Sequence, residues 1–445
     1  MLRMLWAGIT LLLVSGCASY GVVENTPLRD VSADAGYSIK SFQEKWRTGE
    51  TMLTLAFSGG GTRASALSYG VLKKLRDTSV PYRGQNVRML DAVDTISSVS
   101  GGSFTAAYYG LHGDGIFDDF EEAFLRRDVE GALIAGILNP LEWISPTGRT
   151  EIATKYYEKH VFKGATYADM IQEGRPMIVI NASDLGYGVR FSFVQEYFNL
   201  LCSDLSTFPV ARAVTASSAV PVLFNPIVVE NFQDCGTELP EWLKAAKKRT
   251  ADDPELASIV EGLETYFERD KRNYAHFVDG GITDNLGLRA IYDIIEVTGG
   301  MTHYLKKYNR QPPRRVVVIV VNASTEPEPE MDQTNKQPSL KESIGAMSDV
   351  QLHHYNVATI ELMKNTLDHW AQVLSTPEKP VKAYFIRVNL KDIKDPERRA
   401  FLNKVPTSFK LTDEQVDKLI EAGGELLREN PDFRRLLADV ESESK

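Results

Sequence analysis

Apolar residues change their spacing at two points in the first part of the chain, and both changes follow the same pattern. The continuous apolar run at residues 52–57 gives way to glycines, and apolar positions then recur at helical spacing over residues 67–75. The run at residues 92–96 is likewise followed by small residues and by an apolar stretch at 104–109. Each change predicts a strand, a tight loop and a helix in succession.

Further apolar runs predict strands at residues 177–181, 190–194, 277–278, 316–321 and 383–388. The run 316–321 is apolar at every position, which is typical of a central parallel strand covered on both faces. Because helical stretches separate these runs, the pattern predicts a layered α/β fold with a mostly parallel sheet.

Two polar segments interrupt this alternation. Residues 238–272 are rich in Lys, Glu, Asp and Ala at helical spacing and predict an inserted helical pair. Beyond residue 325, a polar linker precedes Ser339-Leu340-Lys341-Glu342, a capping box that predicts a helix running toward Leu374. A last helix pair is predicted over 412–437. Residues 325–445 therefore form a linker and a mainly helical extension with one late strand.

The N-terminal segment has the pattern of an export signal. Arg3 precedes an apolar run too short to cross a bilayer, which ends at Val14-Ser15-Gly16-Cys17. This ending resembles the lipobox of bacterial lipoproteins, and the resemblance implies cleavage after residue 16 and a lipid on Cys17. Alternatives are an ordinary signal peptide or a buried helix. The residue after the cysteine is Ala18 and not aspartate, which resembles lipoproteins that are sorted to the outer membrane. We therefore expect a lipid anchor in the bacterial cell envelope, in the outer membrane, with the protein facing the periplasm.

On this interpretation, residues 1–16 are the signal peptide and residues 17–47 a lipidated tether. The part of that tether up to about residue 44 is polar and aperiodic, so we expect little fixed structure there. The ordered core is expected to begin with the strand at residues 52–57.

Composition limits the partners. The net charge is −10 with no long basic run, so the electrostatic attraction that nucleic-acid binding needs is missing, and lipid contact is expected through apolar insertion and the anchor. Besides Cys17 the chain has Cys202 and Cys235, which are either a disulfide or two unpaired buried thiols. Neither has a second ligand at metal-binding spacing, so no metal site is expected.

The segment Ser97-Ser98-Val99-Ser100-Gly101-Gly102-Ser103 is the candidate nucleophile. It ends a strand and precedes a helix, as in the G-x-S-x-G elbow that exposes a serine on a sharp turn. Gly102 supplies the second small residue of that motif, and Ser98 replaces the first glycine. Taken alone, the segment would be better explained as a surface Ser/Gly turn.

The segment Ser58-Gly59-Gly60-Gly61-Thr62-Arg63 is the candidate anion site. Consecutive glycines before a helix present backbone N–H groups without obstruction, which suits the oxyanion of a tetrahedral intermediate. A nucleotide phosphate loop is the alternative, but the Gly-Lys-Ser/Thr ending is absent. Arg63 is expected to steady this loop or to meet a lipid phosphate, unless it is a surface charge.

The segment His276-Phe277-Val278-Asp279-Gly280-Gly281 adds a carboxylate between a strand and two glycines. The Asp279 side chain can therefore project from a tight turn into a cleft, where it can take part in the chemistry of the serine. A three-residue triad is the rival arrangement, with a histidine drawn from His276, His353, His354 or His369.

Together, Gly-Gly-Gly-x-Arg, x-x-Ser-Gly-Gly-Ser and Asp-Gly-Gly resemble the patatin-like phospholipases over roughly residues 53–288. The likeness includes Ala216-Ser217-Ser218-Ala219-Val220-Pro221 and Asp284-Asn285-Leu286-Gly287. It implies a three-layer α/β/α fold, with a catalytic domain at 48–324.

The same resemblance implies a Ser100–Asp279 dyad without histidine, no cofactor, and Gly59, Gly60 and Gly61 as the oxyanion loop. Where that family often has Asp before the glycines this chain has Ser58, which resembles the related cytosolic phospholipases.

These observations predict a serine acyl hydrolase that cleaves fatty-acyl esters of phospholipids or other lipids. The alternative is a catalytically silent lipid-binding or envelope scaffold protein of the same fold. The apolar stretch at residues 132–144 is expected to line an acyl groove, to dip into a bilayer or to pack in the core.

Overall fold

A mixed β-sheet between two layers of helices organises the chain. The computed structural model describes residues 20–28, 36–45, 50–82, 85–137, 148–221, 223–233, 235, 238–325, 332 and 334–443. In chain order the strands are β1 (Thr26–Pro27), β2 (Thr51–Phe57), β3 (Ser79–Tyr82), β4 (Gln85–Arg88), β5 (Val93–Val99), β6 (Met177–Asp184), β7 (Arg190–Ser192), β8 (Ser203–Asp204), β9 (Ile227–Glu230), β10 (Tyr274–Asp279), β11 (Arg315–Asn322) and β12 (Lys382–Asn389).

The main sheet has eight strands in the described part of the chain. Its order is β12-β11-β2-β5-β6-β10-β9, and β7 pairs with β6 beside this path. The first five strands of that order are parallel, whereas β10 and β9 are antiparallel to their neighbours. The prediction of a mostly parallel central sheet is confirmed.

Helices cover both faces of this sheet. They are α1 (Ile39–Lys45), α2 (Gly61–Arg76), α3 (Gly101–His112), α4 (Ile116–Phe120), α5 (Val129–Ile137), α6 (Arg149–Tyr157), α7 (Gln195–Phe198), α8 (Val210–Ser217), α9 (Glu241–Lys247), α10 (Pro254–Glu264), α11 (Gly281–Asp284), α12 (Leu288–Val297), α13 (Met301–Lys307), α14 (Leu340–Leu374), α15 (Pro396–Asn403), α16 (Asp413–Glu429) and α17 (Pro431–Glu443). One layer contains α2, α3, α8 and α16, and the other contains α12, α13 and α14. No described helix is both long and apolar enough to cross a membrane.

The segment before β2 packs into the core, so the prediction of little fixed structure is wrong for its described part. Tyr37 is fully buried, and its hydroxyl donates to the carbonyl of Ile178 and accepts the N–H of the same residue. Ile39 and Phe42 on α1 are also buried. Burying such side chains contributes about 1.5–3 kcal/mol each, which outweighs the polar character of the surrounding sequence. Residues 1–19, with Cys17, lie outside the described residues.

The described residues of the segment 325–445 belong to the same three layers, so this segment is not a separate extension. Strand β12 pairs in parallel with β11 along its whole length, from Lys382 to Asn389.

Two other predictions concern the middle of the chain. Helices α9 and α10 correspond to the predicted inserted helical pair. Of the two alternatives for Cys202 and Cys235, the structure has the disulfide, with a Cα–Cα distance of 5.5 Å.

Two glycines bring the backbones of α2 and α16 into direct contact. A Cβ atom at Gly423 would lie 2.3 Å from the carbonyl oxygen of Leu67, and one at Gly70 would lie 2.1 Å from that of Ile420. Gly423 and Gly424 have low helix propensity, yet α16 is unbroken. Helix α16 therefore fixes α2, whose first residue is a glycine of the candidate anion site.

We expect Gly423→Ala to lower the thermal unfolding midpoint, because the added methyl group forces apart two packed backbones, at a cost of about 1–3 kcal/mol. Gly424→Ala is the matched control. Its Cβ would meet the nearest atoms at 3.6 and 3.8 Å, so the gain in helix propensity should leave the midpoint unchanged or raised. Equal midpoints for Gly423→Ala and the wild type would contradict this packing.

Candidate active site

Two strand-to-helix turns lie side by side at one edge of the sheet. Strands β2 and β5 are parallel neighbours, with Phe57 opposite Ser98. The carboxyl ends of parallel neighbours meet at the same edge, so the glycine loop after β2 adjoins the turn after β5. A Cβ atom at Gly101 would lie 2.0 Å from the carbonyl oxygen of Gly61, so only glycine permits this approach.

Ser100 occupies the strained turn between β5 and α3. Its φ of 50° and ψ of −121° lie in a region that residues with side chains rarely adopt. Such a conformation costs about 1–3 kcal/mol and persists only when the surrounding structure enforces it. The strain gives Ser100 the geometry of a nucleophile elbow, although Ser98 stands where that motif has glycine.

Asp279 ends β10 and reaches Ser100 from the other side. The Ser100 hydroxyl donates to Oδ2 of Asp279 at 2.8 Å, and the N–H of Gly281 donates to Oδ1 at 2.7 Å. Both side chains are buried. The structure thus brings together the two residues predicted as nucleophile and base, across 179 positions of sequence.

Burial sets the electrostatics of this pair. Desolvation raises the pKa of Asp279 from 3.8 to about 6, while the hydrogen bonds from Gly281 and Ser100 act in the opposite direction. Asp279 is therefore ionised at neutral pH, with a higher proton affinity than an exposed aspartate. A carboxylate in this condition is suited to accept a proton from a hydroxyl group.

The glycine loop presents two unpaired N–H donors beside the serine. Gly60 and Gly61 have φ values of 134° and 60°, which favour glycine. Within the described residues their N–H groups have no acceptor, and they lie at the N-terminus of α2, where the helix dipole favours negative charge. The N–H of Gly59 donates to the carbonyl of Asn285 at 2.9 Å, so the predicted set of three donors is reduced to two.

Arg63 and Ser58 hold the loop from behind. The Arg63 guanidinium is buried and donates to the carbonyls of Ala323 and Val405 at 2.8 and 2.6 Å, and to Thr407. The Ser58 hydroxyl accepts the N–H of Ala323 at 2.9 Å. These contacts agree with the expectation that Arg63 steadies the glycine loop. Because the side chain is buried, Arg63 is not a charge on the protein surface.

No histidine completes a triad among the described residues. The Asp279 carboxylate is bonded to Ser100 and Gly281, and strand alternation directs His276 to the opposite face of β10. The other candidate histidines, His353, His354 and His369, lie on α14 and make no hydrogen bond to either residue. No cluster of three or more metal-binding side chains is present in the described ranges.

Sequence reasoning missed Ser217 and Asn285. The Ser217 hydroxyl accepts the N–H of Ser100, and Asn285 engages Gly59. Both residues lie in segments that resemble the patatin-like family, and this resemblance was the signal that could have found them.

Of the apolar stretch 132–144, the structure describes residues 132–137, where Leu133 is buried and Ile134 is exposed. Its remaining residues lie outside the described part.

In comparisons with known proteins, a family described as "Patatin-like phospholipase" matches residues 55–292, more than half of the chain. Among curated proteins none matches this chain in sequence.

Solved structures of human GIVD cytosolic phospholipase A2 show a similar course of the chain. One is 11% identical with a TM-score of 0.44 and covers 96% of this chain and 66% of that one. A second, in complex with methyl gamma-linolenyl fluorophosphonate, is 11% identical with a TM-score of 0.37 and covers 92% and 63%. This chain thus spans slightly less than two thirds of their length, and the family assignment rests on the sequence match.

Asp279→Asn is expected to stabilise the fold at neutral pH. The native state binds the Asp279 proton more tightly than the unfolded chain, so the wild type loses stability as pH rises from about 4 to about 6. A pKa raised from 3.8 to about 6 corresponds to about 3 kcal/mol, which the isosteric neutral amide avoids. Thermal unfolding should show a higher midpoint for the variant at pH 7.5 and a difference that narrows toward pH 4. A less stable variant at pH 7.5 would contradict this prediction.

Proposed function

The chain belongs to the patatin-like phospholipase family, a family of lipid acyl hydrolases, and we propose that it cleaves fatty-acyl esters of phospholipids or other lipids with Ser100 as nucleophile and Asp279 as general base. The observation that carries the proposal is the 2.8 Å hydrogen bond from the Ser100 hydroxyl to Asp279, beside two unpaired N–H donors. Nucleophile, base and oxyanion donors are the three groups that acyl transfer needs.

In the proposed mechanism, Asp279 Oδ2 takes the hydroxyl proton as Ser100 Oγ attacks the acyl carbonyl carbon. The carbonyl oxygen becomes negatively charged and receives hydrogen bonds from the N–H groups of Gly60 and Gly61. Collapse breaks the ester bond, and the departing alcohol takes the proton from Asp279. Water then attacks the acyl-enzyme, with Asp279 again as base, and releases the fatty acid and the free Ser100 hydroxyl.

Exposed apolar side chains near the dyad support a lipid substrate. Val220 follows Ala219, whose carbonyl accepts the N–H of Asp279, and Val220 is 39% exposed. Ile282 on α11, three residues after Asp279, is 53% exposed. Apolar surface at the margin of a polar site is typical of proteins that contact lipids or apolar ligands.

Ser100→Ala tests the proposed activity. Wild-type protein incubated with phospholipid vesicles should release free fatty acid, measured by mass spectrometry, and should be labelled on Ser100 by a fluorophosphonate. The variant loses the proposed attacking hydroxyl, so hydrolysis should fall by about three orders of magnitude or more and labelling should stop. Single replacements of His276, His353, His354 and His369 serve as controls and should keep most of the activity.

Other outcomes identify the rival functions. Labelling of Ser98 or Ser103 would assign a different nucleophile. Loss of activity in a folded histidine variant would replace the dyad by a triad. A wild-type protein that binds vesicles, but neither hydrolyses them nor reacts with the probe, would be the catalytically silent lipid-binding or scaffold protein.

We also propose that a lipid on Cys17 anchors the enzyme in the bacterial cell envelope, at the outer membrane and facing the periplasm. Residues after Tyr20 already pack on the domain: Glu24 bonds to the buried Arg212, and a Cβ atom at Gly21 would overlap Val228. At most about 10 Å of extended chain separates Cys17 from Tyr20. The proposed anchor would therefore hold the domain close to the membrane.

The anchor predicts a mature N-terminus at Cys17 carrying acyl mass, and recovery of the protein with membranes. Buried acyl chain contributes about 0.8 kcal/mol per methylene, so several chains retain the protein firmly. Cys17→Ser should prevent lipid attachment. Mass spectrometry of the N-terminus with membrane fractionation checks this. A soluble wild-type protein that begins at another residue would refute the anchor and leave the hydrolase proposal untouched.

A further inference from the structure

Ser217, the last residue of α8, bonds to the backbone of Ser100 and to the backbone of the residue that follows Asp279. Its side chain is fully buried, and its Oγ accepts the N–H of Ser100 at 2.8 Å while donating its own proton to the carbonyl of Asn181 at 2.6 Å. Its carbonyl oxygen accepts the N–H of Gly280 at 3.1 Å. Gly280 is the neighbour of Asp279, so one residue bonds to the backbone on the nucleophile side and on the base side.

The contact with Ser100 falls on a strained residue. Ser100 has a positive φ, and such a conformation persists only where neighbouring groups enforce it. The N–H of Ser100 points into the interior, where an unpaired donor is unfavourable. Because the only proton of Ser217 is directed to the Asn181 carbonyl, the Ser217 oxygen faces this N–H as an acceptor.

Two further buried hydroxyls continue from Ser217 beneath the elbow. Oγ of Ser103 lies 3.0 Å from Oγ of Ser217 and 3.2 Å from Oγ of Ser98, and all three side chains are fully buried. Ser98 is the residue that replaces glycine in the elbow motif. A glycine there would lack the hydroxyl that Ser103 contacts, so the departure from the motif has a structural reason.

We propose that Ser217 is a positioning residue that holds the Ser100 hydroxyl in line with Asp279 by bonding to both segments; this inference rests on the proposed function. Its backbone bond to Gly280 fixes the base side, and its hydroxyl fixes the nucleophile side. Removing the hydroxyl releases Ser100 alone, so the attacking oxygen moves relative to its base while the substrate site is unchanged.

Ser217→Ala tests this role with a fluorophosphonate as probe. The rate of labelling of Ser100 per folded site and the kcat for lipid ester hydrolysis should fall together by about tenfold to a hundredfold, the effect of a small misplacement of a reacting group, with little change in KM. Ser218→Ala is the matched control. Its hydroxyl is also buried but donates only to carbonyls within α8, those of Val214 and Thr215, so both rates should match the wild type.

Ser217→Cys provides a second variant in case the alanine variant does not fold. The cysteine sulfur occupies nearly the same position as the serine oxygen but is a weaker hydrogen-bond acceptor. The labelling rate of Ser217→Cys should therefore lie between the rates of the wild type and of Ser217→Ala. A purely structural role predicts fewer labelled molecules, each reacting at the wild-type rate, and that result in either variant would overturn the inference. If the wild type itself is not labelled at Ser100, the proposed function fails and the inference falls with it; if the wild type is labelled and both variants match it, the inference alone fails.

Discussion

The backbone contact between the turns after β2 and β5 is the constraint on which the site depends. The space between Gly61 and Gly101 has no room for a Cβ atom, so two helix N-termini approach each other through bare backbone. This approach puts the unpaired N–H groups of the glycine loop next to a hydroxyl that the second turn projects. A side chain at Gly101 would push the glycine loop away from Ser100, whereas a side chain at Gly61 would meet the backbone of Ser408. The third group, Asp279, comes from a more distant strand and completes the arrangement from the opposite side.

Much of the fold could be predicted from the sequence, because the elements nearest the site have strong local signals. The strand predicted at 316–321 corresponds to β11, since uniformly apolar runs are required where a sheet is covered on both faces. The strand predicted at 383–388 corresponds to β12, an edge strand in which buried positions alternate with more exposed ones. The pairing of Ser100 with Asp279 was predicted from the resemblance to the family. Spacing in sequence cannot predict that two side chains 179 residues apart are in contact.

Other features depend on contacts that no local pattern records. The segment around Tyr37 is held in place by hydrogen bonds between the Tyr37 hydroxyl and the backbone of Ile178. The N–H of Gly59 is not free to bind an oxyanion because it donates to the carbonyl of Asn285. Glycine lowers the stability of an isolated helix, yet the missing side chain of Gly423 permits α16 to pack closely on α2. In each case the deciding partner is far away in the chain, so only the folded arrangement reveals the role of the residue.

The contacts of Arg63 have a consequence for the order of synthesis. Two of its partners, Val405 and Thr407, are more than 340 positions later in the chain, and Ser408 also accepts the N–H of Thr62. A growing chain that already contains Ser100 and Asp279 still lacks the groups that close the glycine loop. Closure of the candidate anion site therefore requires that synthesis has passed residue 408, and shorter chains lack these contacts.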